Sequence, residues 1–414
     1  MGHPTRKQRH SKSKNISPKS KDNKKAHRHS TRKSNNKELV FHPDIYQGLV
    51  IPEKANPLEY KVKEVMVKPV YTFKEMEDKE GKYFDEDAAD VIYDEDVDVY
   101  TEDASGVKIL IAKLRKKVID PELIKVGWEG FWRASAPSLM RGAAAGPIQL
   151  KGPYWQKRKP AQTEGHATRY IQPDGTISKM RVNNQVFSAV LGYFNAGTAM
   201  HKTPCRLTTY TRQHFENFKH GIPFIEALDK CFKKLIPDRY KKQKETADAK
   251  PFLRIADTAF SSVTVNRNFR TGLHMDDGDF RGGYGNLSVI ERGSYHGGFT
   301  LFPMYRIGFN IRTGDFLAMD VHQHHCNTKL YETDEDKKAN KDLVNVHNDN
   351  VETGTLGAEK NFSRVSFVCY LREKIINCDK KETLDYFKEI GFDNNKMTFD
   401  RSVLRAKTLK ASQE

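Results

Sequence analysis

A series of short β-rich segments fills the C-terminal part of the chain and constrains the fold more than any other feature. From residue 252 onward, stretches rich in valine, isoleucine and aromatic residues alternate with turns that contain glycine or aspartate. Short strands at this regular spacing favour an antiparallel sandwich or a jelly-roll barrel over a parallel sheet. The polar stretch 331–360 interrupts the series and is predicted to be a long loop or a partly ordered insertion. The segments are SSVTVNRNF, NLSVIER, GGFTLFP, RIGFNIR, FLAMDV and RVSFVCYL.

A helix is predicted upstream of these strands, within residues 210–243. Its apolar residues recur at i, i+4, i+8 and i+11, which is typical of one buried helical face. Pro223 is predicted to open the helix at its first turn, and Pro237 is predicted to end it. The helix and the strands together indicate an α+β fold. The apolar stripe consists of Phe224, Leu228, Phe232 and Leu235.

The positive charge of the chain is concentrated at its N-terminus. The 414 residues carry a formal net charge of +16, and residues 1–37 hold 13 lysines and arginines against one acid, Asp22, giving +12. A basic tail with almost no apolar residues cannot bury a core, so residues 1–37 are predicted to be disordered. Such a tail would bind phosphate backbones through counterion release, without reading sequence. A solubility or nuclear-localisation role is the alternative.

Residues 38–150 are a region of uncertain fold between this tail and a C-terminal domain predicted over 151–414. Residues 59–73 alternate in hydrophobicity and predict a pair of strands. Residues 85–103 hold ten acidic residues and no basic residue, which predicts a solvated acidic loop. The alternative for this loop is that it lies against the basic tail and mimics nucleic acid.

The cysteines and the hydropathy pattern bear on the compartment. The five cysteines are scattered and contain no CxxC pair, which argues against a disulfide scaffold and against structural zinc. No apolar run approaches the length needed to cross a bilayer, and the N-terminus lacks the apolar core of a secretory signal. The expected location is therefore intracellular, in the nucleus if the source is a eukaryote, with no membrane partner.

Two histidines and one aspartate form a candidate metal site. His274 and Asp276 stand at i and i+2, so on a strand both side chains point to the same face. A further candidate, His325, follows the predicted strand FLAMDV. This ligand set suits a non-haem Fe(II) facial triad, which leaves three coordination positions open for co-substrate and oxygen. His322 and His324 compete with His325, and strand phase alone does not choose between them.

Arg364 and Ser366 also stand at i and i+2, within the apolar segment RVSFVCYL. An arginine inside such a strand needs a charged partner, because an unpaired buried charge is very costly. The distal carboxylate of a dicarboxylate co-substrate could accept a bidentate guanidinium pair and a hydroxyl hydrogen bond. A structural ion pair with a protein carboxylate is the alternative.

The order HxD, then a histidine followed by CN, then RxS resembles the Fe(II)/2-oxoglutarate-dependent dioxygenases. Three segments narrow the resemblance to the TET/JBP family, whose members oxidise methyl groups on nucleobases. They are RTGLHMDDGD, GNLSVIERG and GGFTLFPMYRIGFNIRTGDFLAMDVH. The resemblance is good over 252–375 and weaker over 150–250. It implies a double-stranded β-helix (jelly roll) core with supporting N-terminal helices.

The resemblance also implies a function and site residues. His274, Asp276 and His325 match the iron ligands, and Arg364 and Ser366 match the pair that holds 2-oxoglutarate. The implied cofactor set is Fe(II) with 2-oxoglutarate and O2 as co-substrates. Asp279 matches a position that contacts the flipped base, and Arg372 stands where some 5-methylcytosine oxidases carry a histidine.

The substrate expected from this resemblance is 5-methylcytosine in DNA, held by the basic tail and a groove at the active site. An ionised Asp279 would accept a hydrogen bond from the cytosine amine and would repel thymine unless it were protonated. A cap on the DDGD turn is the alternative role of Asp279. Alternative functions are a thymine hydroxylase, an oxygenase for protein side chains and a non-catalytic nucleic-acid-binding module.

Overall fold

The computed structural model describes residues 39–151, 153–156, 158–197, 203–400 and 402–403. The predicted disordered tail, residues 1–37, lies outside these ranges. The described residues from Phe41 onward form one compact unit. Strands from both sides of residue 150 share one sheet.

The described residues contain eight α-helices and twenty strands. The helices are α1 (Phe73–Glu77), α2 (Pro121–Phe131), α3 (Pro153–Gln156), α4 (Thr209–Gln213), α5 (Phe215–Leu235), α6 (Pro237–Asp248), α7 (Asp334–Asn340) and α8 (Lys380–Glu389). The strands are β1 (Lys63–Met66), β2 (Val91–Tyr93), β3 (Val97–Glu102), β4 (Lys108–Arg115), β5 (Pro137–Ser138), β6 (Lys159–Glu164), β7 (Ala167–Ile171), β8 (Val186–Phe194), β9 (Arg206–Leu207), β10 (Ser262–Arg267), β11 (Gly285–Arg292), β12 (His296–Gly297), β13 (Thr300–Phe302), β14 (Ile307–Phe309), β15 (Phe316–Met319), β16 (Cys326–Asn327), β17 (Leu330–Tyr331), β18 (Ser363–Tyr370), β19 (Phe392–Asp393) and β20 (Thr398–Phe399).

Two sheets form the core, as the sequence predicted for an α+β protein with a jelly roll. The major sheet has the order β1-β3-β4-β15-β11-β18-β10-β8-β5, with β9 paired to β8. The minor sheet has the order β16-β13-β14-β2. Apart from the parallel pairs β1–β3 and β14–β2, the pairings within these two sheets are antiparallel. All six β-rich segments of the sequence contain a strand.

The central strand β18 shows how the major sheet separates core from site. Val365 and Phe367 face a helical layer, and the Phe367 ring lies 5.0 Å from that of Phe224 on α5. Arg364 and Ser366 point to the opposite face, because successive side chains of a strand alternate. Helices α2 and α5 thus cover one face of the sheet and leave the other face open to a cavity.

Helix α5 begins earlier than the proline pattern predicted. The stripe of Phe224, Leu228, Phe232 and Leu235 is buried as expected, but the helix starts at Phe215 and contains Pro223 in its interior. Proline inside a helix costs about 3 kcal/mol. Phe215 and other buried apolar residues in the first two turns offset this cost, since they extend the same packed face. Pro237 ends α5 as predicted and opens α6.

The acidic run 85–103 is ordered, so the expectation of a solvated loop is wrong. It contains β2 and β3, in which Val97 and Val99 are buried. The Asp98 carboxylate between them is also buried, and it lies 2.8 Å from a guanidinium nitrogen of Arg115 and 2.6 Å from the Lys113 amine. The buried Asp98 therefore pairs with basic residues of β4, a contact that the local sequence does not reveal.

Two smaller expectations also need correction. Residues 59–73 contain one strand, β1, instead of a pair. The end of the segment leads into helix α1, which Thr72 caps through a reciprocal pair of hydrogen bonds with Glu75. Cys205 and Cys378, 173 positions apart in sequence, form a disulfide, while the other three cysteines are buried thiols. The scattered spacing of the cysteines concealed this pair. In the described part of the chain, no helix has the length and apolarity needed to span a bilayer.

Candidate metal centre and co-substrate pocket

A cavity of about 470 Å³ lies on the open face of the major sheet. Residues of both sheets line it, including Ser366 and Val368 of β18 and Thr300 of β13. All seven residues that the sequence predicted as site residues line this cavity: His274, Asp276, Asp279, His325, Arg364, Ser366 and Arg372.

The three predicted metal ligands converge at one end of the cavity. The Nε2 atom of His274 lies 3.7 Å from one carboxylate oxygen of Asp276, and the Nε2 atom of His325 lies 3.7 Å from the other. One possible ligand atom from each residue lies within 4.8 Å of the others. The arrangement brings two imidazoles and one carboxylate around a single point, as a facial triad requires.

Backbone hydrogen bonds hold the two histidines in this position. The backbone amides and carbonyls of His274 and His325 pair with each other at 3.0 and 2.9 Å, which fixes the two residues side by side. The Nδ1 atom of His274 lies 2.8 Å from the Gly272 carbonyl, and that of His325 lies 2.9 Å from the Gln323 carbonyl. Each Nδ1–H can therefore donate to a carbonyl and leave the Nε2 lone pair for a metal.

The electrostatics of the site also fit a divalent cation. Burial, together with the neighbouring His274, lowers the pKa of His325 to about 4. The imidazole is therefore neutral at pH 7, the form that binds metal. All three residues line the cavity. Two imidazoles and a carboxylate match the donor set of a non-haem Fe(II) centre.

The competing histidines point elsewhere. Nδ1 of His322 lies 3.4 Å from Asp320, and its Nε2 lies 3.3 Å from the backbone carbonyl of Asp279. His324 is buried, with its Nε2 atom 3.3 Å from Glu80 and its ring 4.9 Å from that of Phe73. The geometry thus selects His325, a choice that strand phase had left open.

Arg364 is buried in the same cavity without a carboxylate partner among the described residues. Its Nε and Nη2 atoms have no hydrogen-bond partner, although the side chain is only 4% exposed. The acid opposite it on β11, Glu291, instead binds Tyr295, Arg312 and Thr313. An unpaired buried guanidinium is costly. The structure therefore offers a site for a carboxylate that the protein itself does not supply.

Several cavity residues were missed from the sequence. Thr264 and Asn266 on β10 face the cavity at alternate positions between buried valines. This polar–apolar alternation could have identified them. Arg141 also lines the cavity and donates a short hydrogen bond to Ser188. It lies in a Gly/Ala-rich stretch that resembles an ordinary loop, so no local pattern identifies it.

Asp279 and Arg372 line the same cavity and are connected by an isolated antiparallel bridge, and the Asp279 amide donates to the backbone carbonyl of Asp276 at 3.1 Å. Asp279 is buried, and its Oδ2 atom has no hydrogen-bond partner within the described residues. Burial, and to a smaller extent Asp276, raises the pKa of the Asp279 carboxyl well above its ordinary value. The Arg372 guanidinium lies 3.9 Å above the Phe194 ring, and its Nε donates to the Asn195 side chain at 2.5 Å.

Comparison with known proteins identifies a related domain. Residues 189–373 match the Tet_JBP model, described as the oxygenase domain of the 2OGFeDO superfamily. The chain is 36% identical over 153 residues to thymine dioxygenase JBP1 of Trypanosoma brucei brucei. The matched segment covers 37% of this chain and 17% of that protein. The chain is 32% identical over 240 residues to the bifunctional helicase and thymine dioxygenase JBP2 of Trypanosoma brucei brucei (strain 927/4 GUTat10.1), covering 57% of this chain and 19% of that protein. The chain thus spans less than a fifth of these relatives.

Among solved structures, NgTET1 in complex with 5mC DNA is similar over 77% of this chain and 100% of that one. The TM-score is 0.39 and the identity is 10%.

Proposed function

We propose that the chain is an Fe(II)/2-oxoglutarate-dependent dioxygenase that hydroxylates the methyl group of a pyrimidine base in DNA. The match of residues 189–373 to the Tet_JBP oxygenase-domain model supports this class of enzyme. The observation that carries the proposal is the shared cavity. The same cavity is lined by the His274, Asp276 and His325 group and by the buried Arg364 guanidinium, whose Nε and Nη2 atoms have no hydrogen-bond partner among the described residues.

Each group has a role in this proposal. His274, Asp276 and His325 would hold the iron, and Arg364 with Ser366 would hold the distal carboxylate of 2-oxoglutarate. When bound, iron with 2-oxoglutarate and dioxygen supplies the oxidation of a C–H bond, coupled to decarboxylation of the co-substrate to succinate. The protein contributes binding, orientation and a partly enclosed pocket.

A base inside a duplex cannot reach the cavity, so the proposed substrate base must be flipped out of the helix. Flipping costs a few kcal/mol, which contacts to the flipped base and to the phosphates offset. Asp279 and Arg372 stand where a base would lie next to the iron ligands. The role of the basic tail, residues 1–37, in holding DNA remains a prediction outside the described residues.

Thymine is the base we propose first, with 5-methylcytosine as the alternative. The JBP1 and JBP2 relatives, at 32–36% identity, are named as thymine dioxygenases. They favour the thymine alternative over the 5-methylcytosine expected from the sequence. The two bases differ only in the groups at C4 and N3, so the volume of the cavity does not choose between them.

A nucleoside assay tests the proposed function directly. The full chain is incubated with Fe(II), 2-oxoglutarate and DNA that contains thymine together with 5-methylcytosine, and the digested nucleosides are weighed by mass spectrometry. We expect hydroxymethyluracil, formed with succinate in equal amounts. Succinate without any oxidised nucleoside, combined with hydroxylated side chains on a protein substrate, would contradict a role on DNA.

Asp279→Asn tests the contact with the base. A carboxyl group presents a fixed set of donors and acceptors at a given protonation state, whereas an amide can rotate to serve thymine or cytosine. Leaving a buried polar group unpaired costs about 1–3 kcal/mol, or about ten- to a hundredfold in discrimination. We therefore expect the ratio of oxidised thymine to oxidised 5-methylcytosine to move at least about tenfold towards unity. Asp277→Asn, at an exposed neighbour, is the matched control. An unchanged ratio in Asp279→Asn would mean that Asp279 only stabilises its turn.

A further inference from the structure

A second cavity, of about 500 Å³, lies beside the first and is lined by parts of β8, β9 and α4. Three arginines line it: Arg133, Arg206 and Arg212. Its lining contains no aspartate or glutamate among the described residues. We name this cavity the arginine groove. Its charge makes it suited to an anion.

The three guanidinium groups are not committed to carboxylates within the described part of the chain. Arg133 lies 4.4 Å from the Trp132 ring and is exposed. Arg206 donates to the backbone carbonyl of Asn195 at 2.9 Å, a contact that positions the side chain but leaves its charge uncompensated. Arg212 is partly exposed at the edge of the groove.

The arginine groove continues the face of the major sheet that carries the metal centre. Ser188 of β8 stands opposite Asn266 of β10, so both side chains project from the same face. Asn266 lines the first cavity and Ser188 lines the groove, and the two side chains are hydrogen-bonded to each other. Arg141 donates to the same Ser188 hydroxyl from the side of the first cavity.

Aromatic rings connect the two cavities on the other side. The Phe194 ring is held between Arg372 of the first cavity, at 3.9 Å, and Arg206 of the groove, at 5.4 Å. Tyr210 and Tyr386 also line the groove, and both are partly exposed. Cationic side chains that alternate with accessible aromatic faces are typical of surfaces that bind a nucleic-acid strand.

We propose that the arginine groove binds the DNA backbone immediately next to the flipped base, with Arg133, Arg206 and Arg212 on phosphate oxygens. This inference rests on the proposed function, because it assigns the substrate strand to a path through the groove. The contacts fix the position of the strand without reading its sequence. The groove thus supplies phosphate contacts from within the folded part of the chain, separate from the basic tail.

The observations favour a DNA strand over an acidic peptide. The groove adjoins the cavity that would receive the base across the hydrogen-bonded Ser188–Asn266 pair, and a strand with one base in that cavity must run its phosphates along an adjoining surface. The partly exposed rings of Tyr210 and Tyr386 line the groove beside its arginines, and such rings can stack on nucleic-acid bases, which an acidic peptide lacks. An acidic peptide is therefore an outcome of the test.

The test measures DNA binding by the full chain without iron, so that it does not depend on turnover. The groove variant carries Arg133→Gln, Arg206→Gln and Arg212→Gln. The control variant carries Lys230→Gln, Lys234→Gln and Lys242→Gln, which removes the same charge from exposed residues of α5 and α6 outside the groove. Binding of a fluorescent 20-base-pair duplex is followed by anisotropy over a range of salt concentrations.

We expect the groove variant to bind at least about tenfold more weakly, with a log–log salt slope lower by about 2–3, since each lost phosphate contact reduces it by about 0.9. The control variant should change affinity by less than about threefold. Equal affinities and slopes for the two variants would overturn the proposal. Competition by poly-glutamate is the second outcome that would overturn the proposal. It would do so if poly-glutamate at equal charge displaced the duplex from the wild type but not from the groove variant.

Two further measurements separate folding and function from the groove. Arg212→Gln alone, with an unchanged melting temperature, should still lower the salt slope by about 0.9; an unchanged slope would count against the proposal. The nucleoside assay then distinguishes the two failures. If the wild type oxidises the base and the groove variant binds DNA as tightly as the wild type, only the proposal about the arginine groove is refuted. Weakened binding by the groove variant without any oxidised base in the wild type supports the groove and refutes the proposed function.

Discussion

Replacing His325 with alanine is expected to abolish base oxidation and to remove iron from the protein. The three ligand atoms lie within 4.8 Å of one another, and no other histidine, cysteine or carboxylate of the described residues joins this group. A facial triad has no spare protein ligand. Even the loss of a partner that only orients a ligand costs about 10- to 100-fold in metal affinity. Loss of the ligand itself should therefore exceed about 100-fold, and His274→Ala and Asp276→Ala should behave alike.

His322→Ala is the matched control for this experiment, since His322 is a nearby histidine directed towards Asp320. Iron content is measured by elemental analysis after anaerobic loading, and turnover is measured as succinate formed per protein. The control should retain stoichiometric iron. If His325→Ala kept full iron and full turnover, the assignment of the ligands would be wrong.

Two pairs of cavity residues could be predicted from the sequence because the members of each pair are close together in it. His274 with Asp276, and Arg364 with Ser366, stand at i and i+2, and a strand turns that spacing into a shared face. Strand phase alone could not select His325, because its position depends on the backbone pairing of two segments 51 residues apart. In the sequence, only the family resemblance singled it out.

The errors arose where distant partners override local composition. Ten acidic residues in 85–103 suggested a solvated loop, yet β4 supplies basic partners such as Arg115 that allow Asp98 to be buried. Pro223 looked like the start of a helix, yet packing of α5 against α2 and the sheet carries the helix through it. The disulfide between Cys205 and Cys378 depends on a contact that no spacing rule predicts.

Arg141 and the arginine groove show the same limit at the functional site. The guanidinium groups of Arg133, Arg206 and Arg212 come from three segments that only the fold brings together. Each residue alone is an ordinary surface arginine in the sequence. The three arginines form one candidate anion site only because they line a shared cavity. The hydrogen bond between Ser188 and Asn266 connects that cavity to the one that contains the candidate metal ligands.

Arg364→Lys should raise the KM for 2-oxoglutarate by about ten- to a hundredfold while leaving DNA affinity unchanged. Lysine keeps the charge but loses the planar fork that binds a carboxylate through two parallel hydrogen bonds. A hydrogen bond to a charged group contributes about 1.5–3 kcal/mol. Because Nε and Nη2 of Arg364 have no hydrogen-bond partner among the described residues, we expect the loss to fall on the co-substrate and not on a structural contact.

A co-substrate without the distal carboxylate makes this test specific to Arg364. Wild-type protein should use 2-oxobutanoate far less well than 2-oxoglutarate, because 2-oxobutanoate lacks the carboxylate that Arg364 would bind. The Arg364→Lys variant should lose most of that preference. Arg372→Lys is the control: its guanidinium lies over Phe194 near the proposed base position, so it should alter the KM for DNA and not that for 2-oxoglutarate. An unaltered preference in Arg364→Lys would mean that this arginine is a buried structural residue and that the dicarboxylate binds elsewhere in the cavity.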